Sequence, residues 1–293
     1  MRIRASVAGY ARDVRTSASQ PATSSWVVGR LTIFLLFSLV PHSAVGAHGE
    51  RPGTLFVGNS MTYFNAGPTV YGALDAHRRA VDVIVGSGFS LARHLEEGRW
   101  PWTRMAALPY LARGRYRTLV LQDAGWRMFM FPRDPVEREA ALTSALALAR
   151  HGRTWGARVV LYVQPYRADA ESCLATMIGQ DQVIYGYHQL AAALRLDGID
   201  VRIAPVGQAS ALAATKSVNP CGEGTEFDML FARDNHHPSL RGTYLAMALI
   251  YAVANDVDVR DVPDEPRLGH EVSLRLRTLA HAALERERSR PDH

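Results

Sequence analysis

Thr54-Leu55-Phe56-Val57-Gly58-Asn59-Ser60 is the stretch on which the fold turns. Four residues of mainly apolar, strand-forming type stop at a glycine, and a serine follows two positions later. A short apolar run closed by glycine reads as a buried strand and its turn. Four runs further along have the same character. Val81-Asp82-Val83-Ile84-Val85 stops at Gly86, and Thr118–Leu121 ends at Gln122-Asp123. Arg158–Val163 ends at Gln164-Pro165, and Asp200–Ala204 ends at Pro205. Longer helical patterns separate or follow them, from Asp134 to Thr154, Gln180 to Leu196, Ser239 to Ala254 and Glu271 to Glu285. This alternation predicts an α/β fold with a central parallel sheet of about five strands, covered by helices on both faces. Residues 206–233 show the least pattern and read as a long loop carrying Cys221, a candidate lid just ahead of Asp234. The Arg-rich end, about residues 287–293, reads as disordered.

The 293 residues are 47% hydrophobic, enough for one sizeable core. Net charge is +5 and the sequence pI is about 9.4. The basic residues are nearly all arginine, with Lys216 the only lysine, and they are scattered rather than gathered in a stripe. That scatter argues against nucleic-acid binding. Leu31–Val40 is the longest apolar run, preceded by Arg30 and followed by Ala44-Val45-Gly46-Ala47. It is short for a membrane span, which needs roughly 20 residues, and suits a secretory signal with small residues for cleavage. The expectation is a targeting segment over 1–47 and a catalytic domain over 48–293, with an uncleaved anchor as the alternative. Either way the body lies outside the cytoplasm, secreted or in the periplasm or cell envelope, with no stable span after cleavage. Cys173 and Cys221 fit an oxidising compartment, either as one disulfide or as two thiols. No Cys/His spacing suggests a zinc site, and no metal or cofactor is called for.

Ligands in open α/β sheets bind beyond the carboxyl ends of the strands. Ser60, Gly88 and Gln122 each fall just past such an end, and Asp234 and His237 precede the helix near Ser239. A serine hydroxyl needs an adjacent base to become nucleophilic. His237 is the candidate base, and Asp234, three residues earlier, can hold its tautomer. His236 competes for that role, but Pro238 directly after His237 helps fix the backbone there. The backbone amides of Ser60 and Gly88, with the side-chain amide of Gln122, are candidate oxyanion donors. Tyr63, Trp126 and Trp100-Pro101-Trp102 are candidates to line the substrate groove. No Gly-x-Ser-x-Gly elbow of the α/β-hydrolase kind is present.

Four blocks in order resemble the SGNH (GDSL-like) hydrolase superfamily over roughly residues 53–255. They are Gly58-Asn59-Ser60-Met61-Thr62, then Gly88 with Ser90–His94, then Val120–Asp123, then Asp234-x-x-His237-Pro238-Ser239. The last block is the specific one. The resemblance implies a flavodoxin-like three-layer α/β/α sandwich and a Ser60–His237–Asp234 triad working without a metal. It also implies hydrolysis of carboxylic esters, often acetyl or other short acyl groups on sugars or lipids, so that the partner is a small-molecule or glycan ester. Two positions depart from the family. Asn59 replaces the usual aspartate beside the nucleophile, and Gln122 stands where an oxyanion asparagine is usual. The same site would serve acyl transfer to a sugar or polyol, and the two departures leave room for a non-catalytic binding protein on this fold.

Overall fold

The computed structural model describes residues 53–77, 79–95, 116–167, 173–215 and 221–290. The apolar run Leu31–Val40 and the Trp100–Trp102 run lie outside the described residues. Five strands form one sheet: β1 (Gly53–Gly58), β2 (Val81–Val85), β3 (Tyr116–Leu121), β4 (Arg158–Tyr162) and β5 (Val201–Ala204). All pairings are parallel and the order is β2-β1-β3-β4-β5. Register is tight at the carboxyl ends: Val57 of β1 lies opposite both Ile84 of β2 and Leu121 of β3, and Leu121 lies opposite Leu161 of β4.

Alternation along each strand divides the core in two, because successive side chains point to opposite faces. Phe56, Val120, Val160, Tyr162 and Ala204 face one layer. It is built by α2 (Gly67–Leu74), α7 (Val206–Ala214), α8 (Leu240–Asn255) and α9 (Gly269–Arg288). Leu55, Val57, Leu119, Leu121, Val159, Leu161, Val201 and Ile203 face the other. There α3 (Leu91–Leu95), α4 (Gly125–Met130), α5 (Pro135–Arg153) and α6 (Cys173–Leu196) pack. A further short helix, α1 (Ser60–Tyr63), begins at the end of β1. The result is the expected three-layer α/β/α sandwich. Local signals are obeyed where they were clear: Asp134 caps α5, its Oδ1 accepting from Val136 N at 2.8 Å, with Pro135 at the first helical position. Among the described residues no helix is long and apolar enough to cross a membrane.

Three readings are corrected. Residues 206–233 are not one long loop: their first third is α7, with Val206, Ala209, Leu212, Ala213 and Ala214 buried in the core. A helix so packed cannot act as a lid; the irregular part described begins at Cys221. Helix α6 starts at Cys173, seven residues ahead of the expected Gln180. Helix α9 continues to Arg288, so 287–288 are ordered helix rather than tail, and Glu287 accepts from Gln208 Nε2 at 3.0 Å. The two cysteines are paired, Cys173 at the start of α6 with Cys221, their Cα atoms 5.4 Å apart.

Candidate active site

The strand order reverses direction at β1, since β2 lies on one side of it and β3–β5 on the other. That reversal opens a crevice above its carboxyl end, and Ser60 stands there as the first residue of α1. Asn59 caps this helix, its Oδ1 accepting from Met61 N at 3.1 Å. Asn59 N donates to Gln122 Oε1 at 2.8 Å. The amides on both sides of Ser60 are thus consumed, while Ser60 N–H has no acceptor among the described residues. Gly58 admits no side chain: a Cβ there would lie 2.3 Å from Thr62 Oγ1 and 2.7 Å from Gln122 Oε1. Ser60 itself is buried, at 7% exposure, with no hydrogen bond to its hydroxyl among the described residues.

Gly88 follows β2 with φ of +68°, a left-handed conformation that favours glycine. Its N–H also meets no acceptor among the described residues. Asn59 reaches across to this loop, Nδ2 donating to the Phe89 carbonyl at 3.0 Å. An aspartate in that position would have no proton to give. Asparagine at this position therefore supplies a strut between the two amide-bearing turns.

In this structure the Gln122 amide is engaged away from the Ser60 hydroxyl. Fully buried, it turns beneath the Ser60 turn, its Oε1 accepting from Asn59 N and from Thr62 Oγ1 at 2.9 Å. Its Nε2 donates to the Asp123 carbonyl and abuts the Gln164 amide. The longer side chain of glutamine reaches the floor of the site and is spent there.

Asp234 and His237 form a closed pair. Asp234 Oδ1 accepts from the backbone N–H of both His236 and His237 at 3.0 Å, and Oδ2 bonds His237 Nδ1 at 2.7 Å. Partial burial pushes the Asp234 carboxyl up, but the His237 ring and the two amides outweigh it and hold it at about 2. With Nδ1 committed as donor to the carboxylate, Nε2 is the ring nitrogen left to accept a proton. Of the two histidines it is His237 whose ring pairs with Asp234, while His236 lies edge-on to His237 at 4.9 Å between ring centroids. The turn is pinned from below by Ala232 N to His237 O at 2.7 Å and by an antiparallel bridge between Phe231 and Pro238.

The two halves of the site meet next to Ser60. The Phe64 ring, one turn beyond it, stacks on the His237 ring at 4.4 Å with 10° between planes. Asn65 Nδ2 donates to the Pro238 carbonyl at 2.6 Å. No hydrogen bond joins Ser60 to His237 in this structure; contact between their segments runs through Phe64 and Asn65. Around the rim, Trp126 is 51% exposed and Tyr63 36%, and Phe129 stacks on Tyr166 at 5.4 Å.

Two buried polar side chains behind these turns carry no sequence signal of their own. His94 bonds the Gly58 carbonyl through Nε2 at 2.8 Å, and burial depresses it to about 4, so it is neutral there. Asp123 accepts from Leu91 N at 2.9 Å and Ala124 N at 2.7 Å, and burial raises it to about 6. Both fasten α3, and with it the Gly88 loop, to the sheet.

No family model matches the sequence, and no curated protein matches it. Solved structures do. A Slackia heliotrinireducens protein described as a candidate SGNH hydrolase is 24% identical, with a TM-score of 0.53, covering 70% of this chain and 99% of its own. A DUF4886 family protein from Bacteroides uniformis is 18% identical, with a TM-score of 0.56, covering 82% of this chain and 97% of its own. These likenesses establish a shared fold.

Proposed function

We propose that this chain, which carries the fold of the SGNH hydrolases, is a serine esterase acting outside the cytoplasm on short-acyl esters of carbohydrate or lipid. The observation that carries the reading is the Asp234–His237 pair held against the segment of Ser60, beside two unspent amides at Ser60 and Gly88. Ser60 Oγ attacks the ester carbonyl while His237 Nε2 takes its proton. The developing oxyanion is received by the Ser60 and Gly88 N–H groups. Asp234, held at about 2, stays anionic through neutral pH and supports the imidazolium. The imidazolium then protonates the departing alcohol, leaving an acyl-Ser60. Water, deprotonated by the same imidazole, attacks the acyl group and releases acid and free serine. The half-exposed Trp126 suits a sugar ring or an acyl chain at the rim.

The test is covalent labelling of the purified protein by a fluorophosphonate, with p-nitrophenyl acetate turnover alongside. The wild type labels and the Ser60→Ala protein does not. Turnover falls by about 1,000-fold or more, as when a nucleophile is removed, with an unchanged circular-dichroism melt. A folded wild type that neither labels nor hydrolyses the ester overturns the reading.

A further inference from the structure

Residues Asn65 (φ 50°, ψ 31°) and Ala66 (φ 56°, ψ 42°) are consecutive and both left-handed, although neither is glycine. Side-chain-bearing residues adopt this backbone only where their surroundings over-determine it. Here the surroundings are Asn65 Nδ2 on the Pro238 carbonyl at 2.6 Å and on Thr243 Oγ1 at 3.4 Å. Gly67 then starts α2 hard against the Thr62 carbonyl, which a Cβ would meet at 2.4 Å. The product of this constrained turn is the orientation of Phe64. Its ring lies parallel to the His237 imidazole at 4.4 Å. The imidazole is thereby held on one edge by Asp234 and covered on one face by Phe64, with His236 edge-on.

We propose that Phe64 is a positioning residue for His237: its ring fixes the imidazole plane toward Ser60 and stabilises the imidazolium formed when the serine proton is taken. The inference rests on the esterase reading. A cation is favoured over an aromatic face, whereas the neutral ring gains only stacking. The contact is therefore stronger once the proton has moved, and the difference lowers the barrier to that movement. Among the described residues, the titratable groups in hydrogen-bond or ring contact with His237 are Asp234 and His236, both on its own turn. Arg241, at the start of α8, is directed to Met229 Sδ at 2.8 Å.

The experiment compares the full chain as wild type, Phe64→Leu and Phe64→Tyr. It measures kcat and KM for p-nitrophenyl acetate across pH, with melting curves as the folding control. Leucine keeps bulk and loses the π face; tyrosine keeps the face. Phe64→Leu lowers kcat about tenfold with KM within about twofold, and its acid limb of kcat/KM moves about 0.5–1 unit to lower pH. Phe64→Tyr restores both. A Phe64→Leu protein with wild-type kcat and acid limb overturns the inference, as does equal impairment of the two variants. If Phe64→Leu does not fold, Phe64→Met, which keeps bulk and likewise lacks a π face, takes its place. The same loss is expected, and wild-type kcat and acid limb again overturn the inference. A wild type that labels at Ser60 but is insensitive at Phe64 fails this inference alone. A folded wild type that does not label fails the esterase reading and this inference with it.

Discussion

Asp123 and His94 fasten the same short helix to the sheet, and their protonation acts on stability in opposite directions. Burial raises Asp123 from 3.8 to about 6 against the two amides that favour its anion. The folded chain therefore holds a proton that the unfolded chain releases near 3.8, and this contribution declines as pH rises from about 4 to about 6. Burial lowers His94 from 6.5 to about 4, so the unfolded chain gains a proton first as pH falls. That contribution is lost between about 6.5 and 4 on acidification. The two slopes offset each other over the same window. Asp123→Asn keeps acceptors for Leu91 N and Ala124 N, and leaves the His94 slope uncompensated. Urea unfolding between about pH 4 and 6.5 should then show stability climbing with pH, steeper than wild type by up to about 1.4 kcal/mol per unit. Parallel curves for the two proteins would remove Asp123 from this balance. Residues of this kind leave little trace in sequence, since one buried polar side chain in a turn has no period. The Asp234–His237 pair was legible because three residues of spacing confine both partners to one turn. The direction of Gln122 was not legible, because an amide at a strand end can point up or down, and here its extra methylene reaches the floor.

Among the elements, the turn that bears Asp234 and His237 is secured at a distance. Cys221 ties its approach to the start of α6, and Arg167 pairs with Asp228 at 3.0 Å inside it. The disulfide spans 48 positions of sequence, and closing a loop of that length in the unfolded chain corresponds to about 4 kcal/mol in the chain-entropy account. Replacing both cysteines by serine should lower unfolding free energy by about 2–4 kcal/mol in urea titrations. A change under about 1 kcal/mol would count against it. Whether the thiols pair was open in the sequence, because spacing alone does not bring two side chains together. Helix α7 escaped notice for another reason. Val206–Ala214 is buried nearly all round, so it lacks the polar stripe that makes a helical period visible. Helix α5, exposed on one side and capped by Asp134-Pro135, was plain.

Across the whole molecule, one face of the sheet depends on the last helix. Leu276, Leu279, Ala280, Ala283 and Leu284 of α9 are buried in the same cluster as α7 and α8. Arg277 bonds the Tyr244 hydroxyl at 3.0 Å and pairs with Asp264. Ending the chain after Leu268 should leave that cluster open, with loss of the cooperative melt and aggregation on size exclusion. Ending it after Ser289 should change neither. A soluble, cooperatively melting protein lacking α9 would show the face to be self-sufficient. Strand count and parallel pairing could be read from alternating short apolar runs and helices. The order β2-β1-β3-β4-β5 could not, because nothing in an apolar run states its neighbour.

Asn65 meets Pro238 across 173 positions, and that contact joins the segment of Ser60 to that of His237. A chain made from its amino end displays Ser60 long before it possesses His237. On the proposed esterase reading, Ser60 remains an ordinary alcohol until the last quarter of the chain is made. A contact of that separation closes a long loop, so on the proposed reading turnover should return in refolding only once this closure is made.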